Sequence, residues 1–272
     1  MMRLSPEISS PLSLQLVDLL GSGAFRARLV QRLSLGPPWR GTFLSVAAQN
    51  GGYDEVAALF QALKTTPTPI TDAEATPFFA RLVREAKYRR AKGYFDNLVR
   101  RPDWKASLVY DGDFAGRPGP QPLNWEVIPS SAGSARWALD DGAPLGSLRV
   151  SHDGFSSSEA LVRQLILLPP GNYRLAARVR VDDPAAVGRF TLRVDCVGGS
   201  RLISMLLRGS PGSWALSQGG FAVPPDACEA QWLSLTPVTG ERREVADMLI
   251  DDIDVRPTAN GSLPRQEPEW TP

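Results

Sequence analysis

The chain has 272 residues, 43% hydrophobic and 22% charged, a composition that fits one or two folded domains and excludes wholesale disorder or a collagen-like chain. The formal net charge of +1 gives no global field that points to nucleic acid. A single histidine, His152, leaves little room for His-based zinc or a Ser–His nucleophile, and 24 Gly with 24 Pro favour turn-rich β architecture over all helix.

The charge is unevenly spread. Residues 1–105 carry a net +6 and residues 106–272 a net −5, and every basic residue after Lys105 is arginine. This break predicts a domain boundary near residue 105. At the start of the chain, Pro6, Glu7, Pro11 and Asp18 interrupt any apolar run. The segment is a poor signal peptide and no transmembrane helix. Either the protein is cytoplasmic, or the chain begins inside a longer one whose export signal lies upstream.

Residues 11–101 read as helices. Ser10 and Pro11 form an N-cap and first-turn pair, and Leu12, Leu16, Leu19 and Leu20 follow at helical spacing. Gly21 and Gly23 stop that segment. Phe25, Leu29, Val30 and Leu33 make a second stripe, closed by Gly36-Pro37-Pro38. Two helix pairs follow, 39–49 with 53–64 and 71–87 with 88–101, and Thr71 with Glu74 is a capping-box signature. The pairs align at an offset of 35: Phe43 with Phe78, Tyr53 with Tyr88, Phe60 with Phe95 and Leu63 with Leu98. NGGYDEVAALFQAL and EAKYRRAKGYFDNL, with Tyr at the turn and Ala57 and Ala91 toward the partner helix, resemble the second half of a tetratricopeptide repeat. Trp39, Phe43, Phe60, Phe78, Phe79 and Phe95 are expected in the inter-helix core. Arg84, Lys87, Arg89, Arg90 and Lys92 read as a solvated face, or else as a landing place for an anionic partner.

After Trp104 the period changes to two. NYRLAARVRVDD and RFTLRVDCVG alternate apolar and polar residues, as half-buried antiparallel strands do. Turn signals recur at Pro169-Pro170-Gly171, Gly198-Gly199, Pro211-Gly212 and Pro224-Pro225-Asp226. About eleven strands are expected between 106 and 256, the count of a sandwich or barrel. The tail TANGSLPRQEPEWTP has no period and reads as disordered.

Four stretches of this part resemble galactose-binding-like jelly-roll carbohydrate-binding modules. VYDGDFAGRPGPQPLNWEV is similar to their opening segment, and ALVRQLILLPPGNYRLAARVRV to their central Gln strand, Pro-Gly turn and Tyr strand. FAVPPDACEAQWLSL and VADMLIDDIDVRP are similar to the closing strands. At the position after the opening Phe, often acidic in the family, this chain has Ala115. The expected fold is therefore α+β multidomain: tetratricopeptide-like helical hairpins over 1–103, an antiparallel jelly-roll sandwich over 104–257, and a disordered tail over 258–272.

The resemblance implies a glycan-binding face. Trp137, Trp214 and Trp232 are candidate sugar platforms or core residues, and Trp232 falls out of phase with Gln231, Leu233 and Leu235. Trp125 is expected in the core. Arg178, Arg180 and Arg193 are placed on the non-core face of two successive strands, free to bind an acidic polysaccharide or to be solvated. Gln164 is an inward or groove-facing amide, a ligand contact or a structural hydrogen bonder. The ligand-binding set is therefore Trp137, Gln164, Arg178, Arg193 and Trp232.

Asp111, Asp113, Asp251 and Asp252 either hold a structural calcium, which the resemblance implies, or bond to amides and arginine. Alternation places Leu249, Asp251, Ile253 and Val255 on one inward face. Cys196 and Cys228 are two buried thiols or one disulfide, and the envelope setting that suits the resemblance favours the bridge. SHDGFSSSE places His152 in a turn beside Asp153, without a nucleophile elbow. The reading is a non-catalytic bacterial envelope or periplasmic protein. Its sandwich binds carbohydrate and its helical repeats bind a protein partner in polysaccharide assembly or export, with no nucleic acid and no membrane insertion. The alternative is a structural scaffold whose sandwich binds no sugar.

Overall fold

The computed structural model of the protein describes residues 6–99, 107–138, 146–155, 160–240 and 244–258. They divide into two compact units, the helices together with 118–122, and the strands. The expected boundary at 103/104 and the tail from 259 lie outside the described residues. Among the described residues no helix is long and apolar enough to cross a membrane.

The helical unit comprises α1 (Pro6–Asp18), α2 (Gly23–Leu33), α3 (Arg40–Asn50), α4 (Tyr53–Leu63), α5 (Asp72–Arg84) and α6 (Tyr88–Leu98). The first helix starts at Pro6 rather than at the expected Ser10 cap, since proline fits a first turn that needs no N–H. Its buried side is Ser13, Val17 and the following Leu20, while Leu12 and Leu19 are exposed. Ser22 Oγ accepts the Phe25 N–H, capping α2. The capping box is present: Thr71 Oγ1 accepts the Glu74 N–H at 3.2 Å, and Glu74 Oε2 accepts the Thr71 N–H at 3.0 Å. Helices α4 and α6 are both 11 residues long and start 35 residues apart, at Tyr53 and Tyr88, whereas α3 and α5 differ in length and start at Arg40 and Asp72. Helix α3 packs on α5 and α4 on α6.

Phe43, Phe60, Phe78, Phe79 and Phe95 fill the interior, and Trp39 stands at the surface, edge-on to Phe43. Arg40 is buried, its guanidinium held by Glu74 and by the carbonyls of Leu33, Thr68 and Pro69. Arg84, Lys87, Arg89 and Arg90 are exposed and Lys92 pairs with Asp96. The segment 118–122 joins this unit through the Gly119 N–H on Asp72 and the Gln121 N–H on Thr76 Oγ1.

The second unit holds β1 (Glu126–Val127), β2 (Gly133–Ala138), β3 (Ser147–His152), β4 (Val162–Ile166), β5 (Gly171–Val181), β6 (Phe190–Cys196), β7 (Arg201–Leu206), β8 (Ser210–Pro211), β9 (Ala215–Val223), β10 (Gln231–Pro237) and β11 (Ala246–Pro257). Sheet A runs β1-β4-β10-β6-β7; sheet B runs β2-β3-β11-β5-β8, with β9 also on β5. Pairing is antiparallel except for the short β5–β8 contact. The two sheets form a jelly-roll sandwich, and between them lie alternate residues of each strand: Val162 and Ile166, Leu192 and Val194, Leu233 and Leu235 from sheet A, Leu175, Val179, Met248 and Ile250 from sheet B. Burying each such side chain is worth about 1.5–3 kcal/mol. Trp125 joins this core, with Phe114 against its ring and its Nε1 donating to the Asp111 carbonyl.

Two expectations fail for identifiable reasons. The register of β11 on β5 slips between Asp251 and Asp254, where Asp252 takes φ of +50°. A bulge inserts one residue and inverts the alternation. Ile253 and Val255 therefore face the core with Met248 and Ile250, and Leu249 and Asp251 do not. Strands β5 and β6 follow one another in sequence yet lie in different sheets, the link turning through the 3-10 helix Pro184–Ala186 and Gly188. Arg178 and Arg193 consequently sit on opposite outer surfaces of the sandwich.

Candidate binding face

The candidate site is the outer face of sheet A. In β10, Gln231, Leu233 and Leu235 turn inward, so Trp232, Ser234 and Thr236 turn out. Strand register extends each of these into a row. Leu165, Trp232, Asp195 and Arg201 form the first row; Glu126, Arg163, Ser234, Arg193 and Ser204 the second; Thr236, Thr191 and Leu206 the third. The Arg163 guanidinium lies over the Trp232 ring, 4.3 Å from its centroid, and pairs with Glu126 at 2.7 Å. Arg201 pairs with Asp195 at 3.0 Å. Arg193 Nε is buried and has no hydrogen-bond partner among the described residues. Burial, with Arg201 adding to it, lowers the Arg193 pKa against the opposing pull of Asp195. The face thus presents a half-buried indole, a half-buried guanidinium and the exposed Ser204 hydroxyl, while Ser234, Thr191 and Thr236 are largely buried in it.

Of the five predicted ligand residues, only Trp232 and Arg193 meet here. Gln164 is fully buried between the sheets, where Oε1 accepts the Tyr110 N–H at 3.0 Å and Nε2 donates to the Tyr110 carbonyl at 2.8 Å. It is the structural hydrogen bonder and touches no open face. Trp137 packs against the core from β2 in sheet B. Arg178 belongs to sheet B and pairs with Asp252 at 3.2 Å, and both Arg178 and Arg180 approach the Trp214 ring. The reading of the residues missed Arg163 and Ser234. The period-2 pattern marked them as outward, and only strand order shows that they flank Arg193.

Ile253 N–H donates to the Gly112 carbonyl at 2.8 Å and sets the 111–113 turn against β11, which brings Asp113 within electrostatic reach of Asp251. Asp111 and Asp113 both accept from Arg117, and Asp111 also accepts the Gly116 N–H. Burial raises the Asp111 pKa, while Arg117 lowers that of Asp113. Asp251 accepts the Asp252 N–H at 2.7 Å, and burial pushes its pKa up to about 6. Among the described residues no three His, Cys, Asp or Glu are grouped to hold a metal.

His152 closes β3 instead of lying in a turn. It is buried, with Nδ1 accepting the Gly154 N–H at 2.9 Å and Nε2 without a partner among the described residues. Cys196 and Cys228 are bonded to each other, their Cα atoms 5.1 Å apart.

No family model and no curated protein matches the chain. Among solved structures, the sandwich half is similar to a family 4 carbohydrate-binding module at 15% identity and TM-score 0.40, covering 55% of this chain and 99% of that one. It is likewise similar to the C-terminal family 22 module of Clostridium thermocellum Xyn10B, at 14% identity and TM-score 0.37, covering 57% of this chain and 97% of that one. A third similar structure is the bacteriophage CBA120 tailspike protein 4 enzymatically active domain, at 13% identity and TM-score 0.40; it covers 56% of this chain, which spans only 22% of that one. At such identity none of these likenesses assigns a role to a residue of the sheet A face.

Proposed function

We propose that the protein is a non-catalytic binding protein whose sheet A outer face takes a glycan. One observation carries this reading: an outward indole, Trp232, stands on a sheet face beside a row of hydroxyl and guanidinium groups. A sugar ring presents an apolar C–H face that an aromatic ring can cover, and hydroxyls that need polar partners at its edge. The Cys196–Cys228 bridge supports an oxidising compartment such as the bacterial periplasm or envelope. The helical unit, read as tetratricopeptide-like, takes a protein partner in polysaccharide assembly or export. The test is a glycan array with the full chain and with Trp232→Ala. Saturable binding that the substitution weakens supports the reading.

A second reading has its own observation. Arg163 already covers one face of the Trp232 ring. If that stack serves only to hold the sheet, the folded chain binds no glycan and Trp232→Ala lowers stability alone.

A further inference from the structure

The charges on the sheet A face do not balance. Glu126 is taken by Arg163 and Asp195 by Arg201, which leaves Arg193 over. Arg193 has no ion pair and no hydrogen bond among the described residues, and its Nε is closed off from water. A half-buried guanidinium without an ion pair of its own is costly, and its position makes that cost informative. Arg193 stands in the middle row, directly between Ser234 of β10 and Ser204 of β7. Neither serine hydroxyl is engaged by another described side chain; Ser204 is exposed and Ser234, although largely buried, stands on the other side of one unshared fork of N–H donors. On the opposite surface of the sandwich the comparable Arg178 already holds Asp252.

We infer that the glycan taken by this face is acidic, and that Arg193 receives one of its carboxylates between the Ser234 and Ser204 hydroxyls. The inference rests on the glycan-binding reading above and names its substrate class. A carboxylate presents two oxygens at the spacing of a guanidinium fork, so the match is geometric as well as electrostatic. A neutral sugar laid over the same row strips water from Arg193 and returns no charge, and is disfavoured for that reason. The lowered pKa of Arg193 has the same origin, loss of water around the charge.

The test is calorimetric titration of the full chain with sodium polygalacturonate, sodium alginate, fully methyl-esterified polygalacturonate, neutral galactan and poly-L-glutamate. At least one polyuronate is expected to bind, and affinity for it is expected to fall about tenfold or more when Arg193 is replaced by Gln. Arg193→Lys, which keeps the charge and loses the fork, should recover part of that loss. Circular dichroism of each variant establishes that it is folded. Equal affinity for a polyuronate and a neutral polymer, or no effect of Arg193→Gln, overturns the inference and leaves the glycan-binding reading standing. Equal affinity for poly-L-glutamate overturns it too, because the face then reads charge without sugar. Absence of binding to every polymer by the folded chain overturns both.

Discussion

Gln164 grips the Tyr110 peptide on both sides, accepting its N–H at 3.0 Å and donating to its carbonyl at 2.8 Å. The side-chain amide thus serves this segment as a strand neighbour would. Replacing Gln164 by Leu strands a buried N–H and a buried carbonyl, and should cost about 2–4 kcal/mol in urea unfolding. A loss below about 1 kcal/mol would show that water or a shifted backbone satisfies both groups.

Arg40 performs a comparable task among the helices, tying Glu74 to three carbonyls that end α2 and lead into α5. Arg40→Met leaves the Glu74 carboxylate and those carbonyls without their donor. Thermal unfolding followed by helical circular dichroism should show a loss of about 3 kcal/mol. A change within about 0.5 kcal/mol contradicts this assignment.

His152 and Asp251 pull the pH dependence of stability in opposite directions. Burial lowers the His152 pKa, so its contribution is complete above about 6.5 and drains away as the unfolded chain takes up a proton below that pH. Burial raises the Asp251 pKa from 3.8 to about 6, so the fold bears the full cost of that charge above 6 and is relieved of it as pH falls toward 3.8. Asp251→Asn should therefore stabilise the protein at pH 7.5 by about 1–3 kcal/mol, with the gain shrinking to nothing near pH 4. His152→Gln should flatten the acid-side loss. Denaturation midpoints across pH 4–8 for the two variants separate these slopes; a gain for Asp251→Asn that does not vary with pH contradicts the assignment.

The Cys196–Cys228 bridge closes a loop of 32 residues. Constraint of the unfolded chain at that length is worth about 3–4 kcal/mol. The Cys196→Ser, Cys228→Ser double variant should unfold at correspondingly lower urea concentration, with a smaller loss where the reduced chain keeps residual order.

Single residues show how far the sequence could be read. Trp232 was legible as outward because Gln231, Leu233 and Leu235 fix the phase of β10 without help from any other strand. The Thr71–Glu74 cap was legible because it is closed within four residues. The separation of Arg178 from Arg193 is not legible, because alternation gives the side of a strand and says nothing about which sheet the strand joins. The outward turn of Asp251 is not legible either, because one extra residue at Asp252 inverts a period of two, and a bulge has no fixed signature in an Asp-Asp pair. The partnership of Arg117 with Asp111 and Asp113 depends on a turn in which Asp111 and Phe114 both take positive φ, which composition does not encode.

The bridged loop contains the whole of β7, β8 and β9, so it holds the outer strand of sheet A and a border strand of sheet B, which meet where Ile203 lies against Gly219. A single protease cut anywhere between Val197 and Ala227 therefore releases nothing. The nicked protein migrates as one species until a reductant is added and then separates into two pieces, so in an oxidising compartment the closed side of the sandwich survives the kind of damage that surface turns such as Pro211-Gly212 invite.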